Sequence, residues 1–337
     1  MGKRSKSRKK TDNLEIFLTN LKKIYPAIFS TVEKGLHHNR NTTFRMVRKE
    51  ENEAKARENL YNLGYQIKPG PIENSYEIIK EPKKTYISDS DAFKNGWIYV
   101  QEFASMVPPT IMELDKNPNP KTPLKILDMA AAPGSKTSQI ADLTNYESEI
   151  LALEKHPIRI QKLKHNLTIY KCDNVQAFLA NGIKFDKRNP QFVEFFDRVL
   201  VDAPCSSEGR FNLNDVKTYK YWNIKKRKEM SKAQKGLLMS GIRMLKPGGI
   251  LVYSTCTFGF EENELVLQWL LEKMPELKIE KFEVPFNNKV SGFISVEKDG
   301  KILQLDKQIK NTIRVIPNEQ FGGFFIAKIR KVQSYQS

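Results

Sequence analysis

A chain of 337 residues, 39% of them hydrophobic, can bury a sizeable core; it suits one large domain beside a smaller one and excludes global disorder. No apolar run approaches the roughly 18–20 residues needed to span a bilayer, and the basic start Met1-Gly2-Lys3-Arg4-Ser5-Lys6 has no apolar segment behind it, so neither a membrane span nor a secretory leader is expected. Cys172, Cys205 and Cys256 are too scattered for a disulfide framework or a CxxC site, and the four histidines lack cysteine partners at zinc-ligand spacing; a reducing cytoplasm and no bound metal are expected.

The formal net charge is +17, and residues 3–10 carry six of those positive charges, which leaves about +11 for the rest. Such a surplus suits a polyanion and salt-dependent attachment to phosphates, although a membrane surface would serve equally well on charge alone.

Residues 1–11 read as a disordered basic tail. Leu14, Phe17, Leu18, Leu21 and Ile24 recur at helical spacing and predict a helix over 14–29; a charged helix follows over 50–63, closed by Gly64. Alternating runs at 43–47, 65–68 and 76–79 predict strands, which completes a small α+β module over 12–110. The loop 115–123, rich in Asn and Pro, leads into a second domain taken as 111–337. There, strands are predicted at 125–129, 150–153, 198–201 and 249–254, separated by helices at 135–143, 157–170 and 232–245, with another helix at 261–273. Strands alternating with helices mean an α/β, Rossmann-like, doubly wound and mostly parallel sheet, whose ligands sit at the strands' carboxyl ends.

Four strand ends carry the chemistry. After the first, Asp128-Met129-Ala130-Ala131-Ala132-Pro133-Gly134-Ser135-Lys136 opens a helix. Its small residues admit close backbone approach and its helix start offers free N–H groups, yet it is neither a Walker A loop nor a GxGxxG fingerprint. Glu154, ending the second strand, is placed to accept hydrogen bonds from ribose hydroxyls. The strands at 198–201 and 249–254 run into Asp202-Ala203-Pro204-Cys205 and Thr255-Cys256-Thr257. A lone cysteine after an apolar strand is usually a buried hydrophobe. Two of them converging on one ligand edge, one beside an aspartate, weigh against that ordinary reading.

The chain resembles the Nop/Sun (RsmB/Nop) family of S-adenosylmethionine-dependent RNA (cytosine-5) methyltransferases. The matching segments are YVQEFASMVPP (99–109), LDMAAAPGSKT (127–137), VDAPCSSEG (201–209), LKPGGILVYSTCT (245–257), EENE (261–264) and GGFFIAKIRK (322–331). The resemblance implies a class I methyltransferase fold, S-adenosylmethionine as cofactor and RNA, ribosomal before transfer, as substrate. It implies Cys256 as the nucleophile toward C6 of cytosine, Cys205 in product release, and Asp202 holding the base. Lys136 is implied to lie near base and thiolate, where a cation lowers the thiol pKa. Ala130, Ala131, Ala132, Pro133, Gly134, Ser135 and Lys136, with Glu154, Asn181 and Asp202, are implied to bind the cofactor; Arg159 is a further candidate. The sequence departs from the family pattern at Ala130, often a cysteine, at Asn181, usually an aspartate, and at Phe44-Arg45-Met46-Val47, which lacks the asparagine of the RxN motif.

Residues 217–235 hold eight Lys or Arg and one Glu, interleaved with Tyr219, Tyr221 and Trp222. Lys225, Lys226, Arg227, Lys228 and Trp222 are the candidates for RNA contact by charge and stacking. A monomer is expected. Two rival readings stay open on the sequence: a basic ribosome-assembly factor that keeps the fold without turnover, and a methyltransferase acting on nitrogen, which needs no cysteine.

Overall fold

The computed structural model describes residues 2–47, 52–298 and 300–332, with side chains from residue 13 onward. Met1, the start of the helix expected over 50–63 and the last five residues of the expected second domain lie outside them.

Helix α1 spans Gly2–Ile24, so its backbone takes in the basic segment expected to be a disordered tail. Lysine and arginine are good helix formers, and from Lys3 onward neither glycine nor proline interrupts the run. Pro26 ends it earlier than the apolar spacing suggests, and α2 (Phe29–Gly35) follows. Next come β1 (Thr43–Met46), α3 (Asn52–Asn62), β2 (Gln66–Pro69), β3 (Ser75–Lys80), α4 (Asp91–Lys94), β4 (Ile98–Val100) and α5 (Phe103–Thr110). The four strands form an antiparallel sheet in the order β2-β3-β1-β4 around Phe44, Leu60, Ile78 and Ile98.

The first 110 residues do not share one core. Phe17, Leu21, Ile24 and Leu36 pack with Phe211, Trp222 and Phe258 of the later chain, and Phe103, Met106 and Val107 of α5 join the core of the second sheet. The small sheet is tied on through Arg45 of β1. Its buried guanidinium donates to Gln101 Oε1 (3.2 Å), to Ser138 Oγ (2.8 Å) and to Asp142 Oδ2 (3.4 Å), so it reaches the helix Ser135–Leu143.

The second sheet is the doubly wound one expected. Its strands are β5 (Lys125–Asp128), β6 (Glu149–Glu154), β7 (Val175–Leu179), β8 (Phe196–Asp202) and β9 (Leu245–Thr255), all parallel, with helices α6 (Ser135–Leu143), α7 (Pro157–Ile169), α8 (Phe185–Arg188) and α9 (Lys225–Met244) between them. After α10 (Glu264–Lys273) the chain adds β10 (Leu277–Glu280), β11 (Lys289–Ser291), the hairpin β12 (Ser295–Lys298) and β13 (Lys301–Gln304), then β14 (Ile313–Val315) and β15 (Phe324–Lys331). The order is β7-β6-β5-β8-β9-β15-β14-β11, with β10 also on β15. Strand β15 runs antiparallel into the sheet beside β9, a placement no local pattern announces. The order reverses between β5 and β8, where a ligand crevice opens at the carboxyl ends. Among the described residues, no helix is long and apolar enough to cross a membrane.

One buried ion pair fastens the sheet's far half. Arg314 of β14 donates from Nε to Glu264 Oε1 (2.6 Å) and from Nη2 to Glu264 Oε2, and from Nη1 to Tyr25 Oη (3.0 Å) and the Phe258 carbonyl (2.9 Å). Removing one partner of such a pair strands the other without water. Arg314→Met is therefore expected to cost about 3–5 kcal/mol in urea unfolding, and the double substitution Arg314→Met/Glu264→Met to recover most of it. An Arg314→Met loss below about 1 kcal/mol would show that the pair is not what holds α10 and β14 together.

Candidate active site

The turn after β5 is built for close approach. Gly134 holds a left-handed backbone (φ +106°), and a Cβ there would sit 2.9 Å from Leu163 Cδ1 of α7. Asp128 Oδ2 accepts from Thr137 Oγ1 (2.7 Å) and Oδ1 from the Ala130 amide (3.4 Å), which closes the loop onto the first turn of α6. Burial raises the Asp128 carboxyl to about 6, against the lowering effect of those two bonds.

From that first turn Lys136, buried, reaches across to the next strand. Its Nζ donates to Asp202 Oδ2 at 2.6 Å and to Ser105 Oγ of α5 at 2.7 Å. Asp202 Oδ1 accepts from Ser254 Oγ of β9 at 2.7 Å. Four segments thus meet on one carboxylate and one ammonium. Phe324, opening β15, stands with its ring centre 5.6 Å from Nζ.

The two cysteine loops converge as their strand ends demand. Cys205 Sγ and Cys256 Sγ lie 3.2 Å apart. A buried carboxylate, Glu262, fastens the loops together. It accepts from the Ser206 amide (2.9 Å), Ser206 Oγ, Thr257 Oγ1 (3.4 Å) and Gln234 Nε2 of α9 (3.0 Å). Burial outweighs those bonds and lifts Glu262 to about 7. The Cys256 thiol is brought down to about 7, first by its hydrogen bond with Cys205 and then by the Arg210 guanidinium, against the effect of burial. Cys205 keeps the proton: the same hydrogen bond, then burial, pushes it well above an ordinary thiol. A thiol that donates to a neighbouring sulfur stabilises a thiolate there.

A cavity of about 300 Å³ lies over this arrangement. Its walls include the expected Ala130, Ala131, Ala132, Pro133, Ser135, Lys136, Asp202, Cys205 and Cys256, and also Arg159. Gly134 shapes the turn from behind. Glu154 lies behind the cavity wall, with Oε1 accepting from the His156 amide (2.9 Å) and Oε2 3.1 Å from Arg159 Nη1. Arg159 Nη2 also donates to the Ala132 carbonyl.

Several expectations need correction. Asn181 is exposed outside the cavity, its Oδ1 accepting from the Ile183 amide (3.0 Å) in a local turn. The cation that lowers Cys256 is Arg210, while Lys136 is committed to Asp202 and Ser105. Trp222 and Arg227, candidates for RNA contact, are buried. Trp222 Nε1 donates to Glu208 Oε1 (2.9 Å), and Arg227 donates to both oxygens of the same carboxylate (2.6 and 3.1 Å). A buried glutamate needs such partners, and the nearby charge run supplies them. Lys225 and Lys228 are exposed and Lys226 half-buried.

The residues missed are Ser105, Asp128, Ser254, Ser207, Arg210 and Phe324. Ser105, Asp128, Ser207, Ser254 and Phe324 lie inside the resembling segments, which is the signal that could have found them; Arg210 falls one residue beyond its segment.

The family described as 16S rRNA methyltransferase RsmB/F matches residues 115–330. The chain belongs to the RsmB/F family. Among relatives of this RsmB/F chain, the tRNA (cytosine(49)-C(5))-methyltransferase of Pyrococcus abyssi is 39% identical over 237 residues, 70% of this chain and 71% of that protein. Ribosomal RNA small subunit methyltransferase F of Escherichia coli is 36% identical over 240 residues, which cover 71% of this chain and 46% of that longer protein. A solved methyltransferase homolog protein from Pyrococcus horikoshii superposes with a TM-score of 0.77 at 30% identity, covering 94% of this chain and 95% of that one. The fold is also that of NSun6 from Pyrococcus horikoshii with SFG (TM-score 0.74, 21% identity, 94% and 98% covered).

In this RsmB/F protein the rate of Cys256 alkylation by iodoacetamide, followed by mass spectrometry, is expected to rise to half its maximum near pH 7. Cys205→Ala removes the first-named cause and moves that midpoint toward the ordinary thiol value; Arg210→Gln moves it the same way by less. A midpoint unmoved in Cys205→Ala would mean that the sulfur–sulfur hydrogen bond does not tune the Cys256 thiol.

Proposed function

We propose that this protein transfers a methyl group from S-adenosylmethionine to carbon 5 of a cytosine in RNA, with Cys256 as nucleophile. The observation that carries the reading is the pair of thiols 3.2 Å apart beside Asp202, at the carboxyl ends of β8 and β9. The names of the RsmB/F relatives support it and divide between ribosomal and transfer RNA.

The residues present fit the cofactor. The 130–136 turn has no side chain bulkier than proline before Ser135, and Ser135 and Lys136, which open α6, line the cavity. Glu154 Oε2, though near Arg159, accepts no hydrogen bond, so a buried acceptor is left for a ribose hydroxyl, which would replace the Arg159 contact. When bound, S-adenosylmethionine supplies an electrophilic methyl group.

The protein's own groups do the rest. Carbon 5 of cytosine is a weak nucleophile. Addition of the Cys256 sulfur to C6 forms a C–S bond and turns the ring into an enamine, whose carbon 5 takes the methyl. Loss of the carbon 5 proton to a water molecule and cleavage of the C–S bond, whose electron pair returns to the Cys256 sulfur, then restore the aromatic ring and free the thiolate. Asp202, oriented by Lys136 and Ser254, holds the base by accepting from its N4 amine, and the Lys136 ammonium beside it offsets the negative charge that addition develops on the ring. Cys205 hydrogen-bonds the sulfur that must leave C6, which supports a part for it in release. The cytosine must be unpaired or flipped to reach this depth.

RNA containing 5-azacytidine is expected to trap the wild-type protein as a covalent complex, and Cys256→Ala is expected to form none. Cys205→Ala should accumulate a complex even with ordinary cytosine. Full methylation by Cys256→Ala would defeat the mechanism. Bisulfite sequencing of total RNA with and without the gene identifies the target cytosine.

A further inference from the structure

The lysine-rich stretch that the catalytic site leaves over does not face solvent evenly. Lys228, Lys232 and Lys235 recur along one face of α9 at spacings of four and three, and line a groove of about 510 Å³. Across the groove stand Lys184 and Lys187, from the segment that follows β7. Lys184, Lys187, Lys228 and Lys232 have no ion-pair partner among the described residues. Asp186 is the one carboxylate among the described lining residues, and it is spent internally. It accepts from Ser240 Oγ (2.9 Å) and pairs with Arg243 Nη1 (3.2 Å). Lys235 lies 5.3 Å from the centre of the Trp269 ring, and burial, with Lys298 nearby, lowers its pKa.

Glu272 acts on Lys235, but Lys184, Lys187, Lys228 and Lys232 share the concavity with no lining carboxylate left for them, and like charges so held repel one another. Such an arrangement is stabilised by an external polyanion more than by solvent. The groove is also well placed. Gln234, next to Lys235, donates to the Pro204 carbonyl of the catalytic loop (3.0 Å), and Gly182, two residues before Lys184, packs against Met129 of the β5 turn. One helix therefore backs the catalytic loop with one residue and lines the groove with the next.

We propose that the groove between residues 183–187 and α9 is a docking track for the phosphodiester backbone of RNA, separate from the cavity that takes the target base. The proposal rests on the RNA reading above. The track holds a stretch of backbone outside the reacting nucleotide through Lys184, Lys187 and Lys232, with Lys235 over Trp269 as its floor. It supplies affinity without sequence preference.

The test compares the wild type with a triple variant, Lys184→Gln/Lys187→Gln/Lys232→Gln, all exposed positions, after circular dichroism shows the same fold. Oligocytidylates of about 30 and about five nucleotides serve as probes in filter binding over a salt series. For the long probe the variant is expected to bind about tenfold more weakly, and its log-affinity slope against log salt to fall by about two. The short probe, which reaches the cavity only, should bind both proteins alike. The matching Lys→Arg triple should keep wild-type binding, and methylation by the Gln triple should show a raised KM for long RNA with kcat unchanged. Equal affinity and slope for the long probe in a folded variant would overturn the proposal while leaving the RNA reading standing. A wild type that binds neither probe would defeat both. Polyglutamate displacing the long probe at lower charge concentration than RNA would assign the groove to an acidic protein and overturn it as well.

Discussion

A single ammonium group organises the ligand edge. Lys136 is buried, and an amine taken out of water is costly unless its charge is met. Asp202 meets it at 2.6 Å, Ser105 adds a second acceptor, and Ser254 holds the other oxygen of Asp202. The Coulomb attraction of such a pair is several kcal/mol at the effective dielectric of a protein edge, and desolvation offsets much of it. What remains is geometry: α5, α6, β8 and β9 are fixed relative to one another through this one pair and its two hydroxyl partners. The cavity and the two thiols inherit their positions from that constraint.

Buried acids repeat the principle farther out. Glu208, Glu262 and Glu264 all lie in the interior, and each holds a different segment. Glu208 gathers Trp222, Arg227 and the Phe258 amide, Glu262 joins the Cys205 loop to the Cys256 loop, and Glu264 holds β14 through Arg314. A buried carboxylate without donors would be severely destabilising, so these residues specify loop positions more than they add net stability. Asn263 completes the set: Thr255 Oγ1 donates to its Oδ1 (2.6 Å), while its Nδ2 donates to the Thr257 carbonyl (3.0 Å). Both bonds brace the chain on either side of Cys256.

What was legible in the sequence follows the range of the forces involved. The parallel sheet and its strand ends could be read because apolar runs and helix spacing are local, and Cys205, Cys256 and Asp202 stand at those ends. The 130–136 turn was legible for the same reason. Arg210 was not, because its importance depends on a thiol 46 positions away in the chain. Trp222 and Arg227 were misread as RNA contacts, since a charge run on a helix looks solvated until the interior glutamate it serves is seen. The joining of α1 and α2 to residues 211–260, instead of to the small sheet, is likewise a long-range packing choice that periodicity cannot express.

Strand β15 sits inside the sheet, between β9 and β14, yet it is the latest of these strands in chain order. It brings Phe324 to the cavity, and the Gly323 amide just ahead of it donates to the Gly209 carbonyl beside the Cys205 loop (2.9 Å). During synthesis, then, β9 emerges from the ribosome with an apolar flank and a row of unanswered backbone groups. That flank stays open until some seventy further residues have followed it. A nascent chain in that state is a ready template for strand pairing with its neighbours, and a pause in translation anywhere past α10 prolongs the exposure.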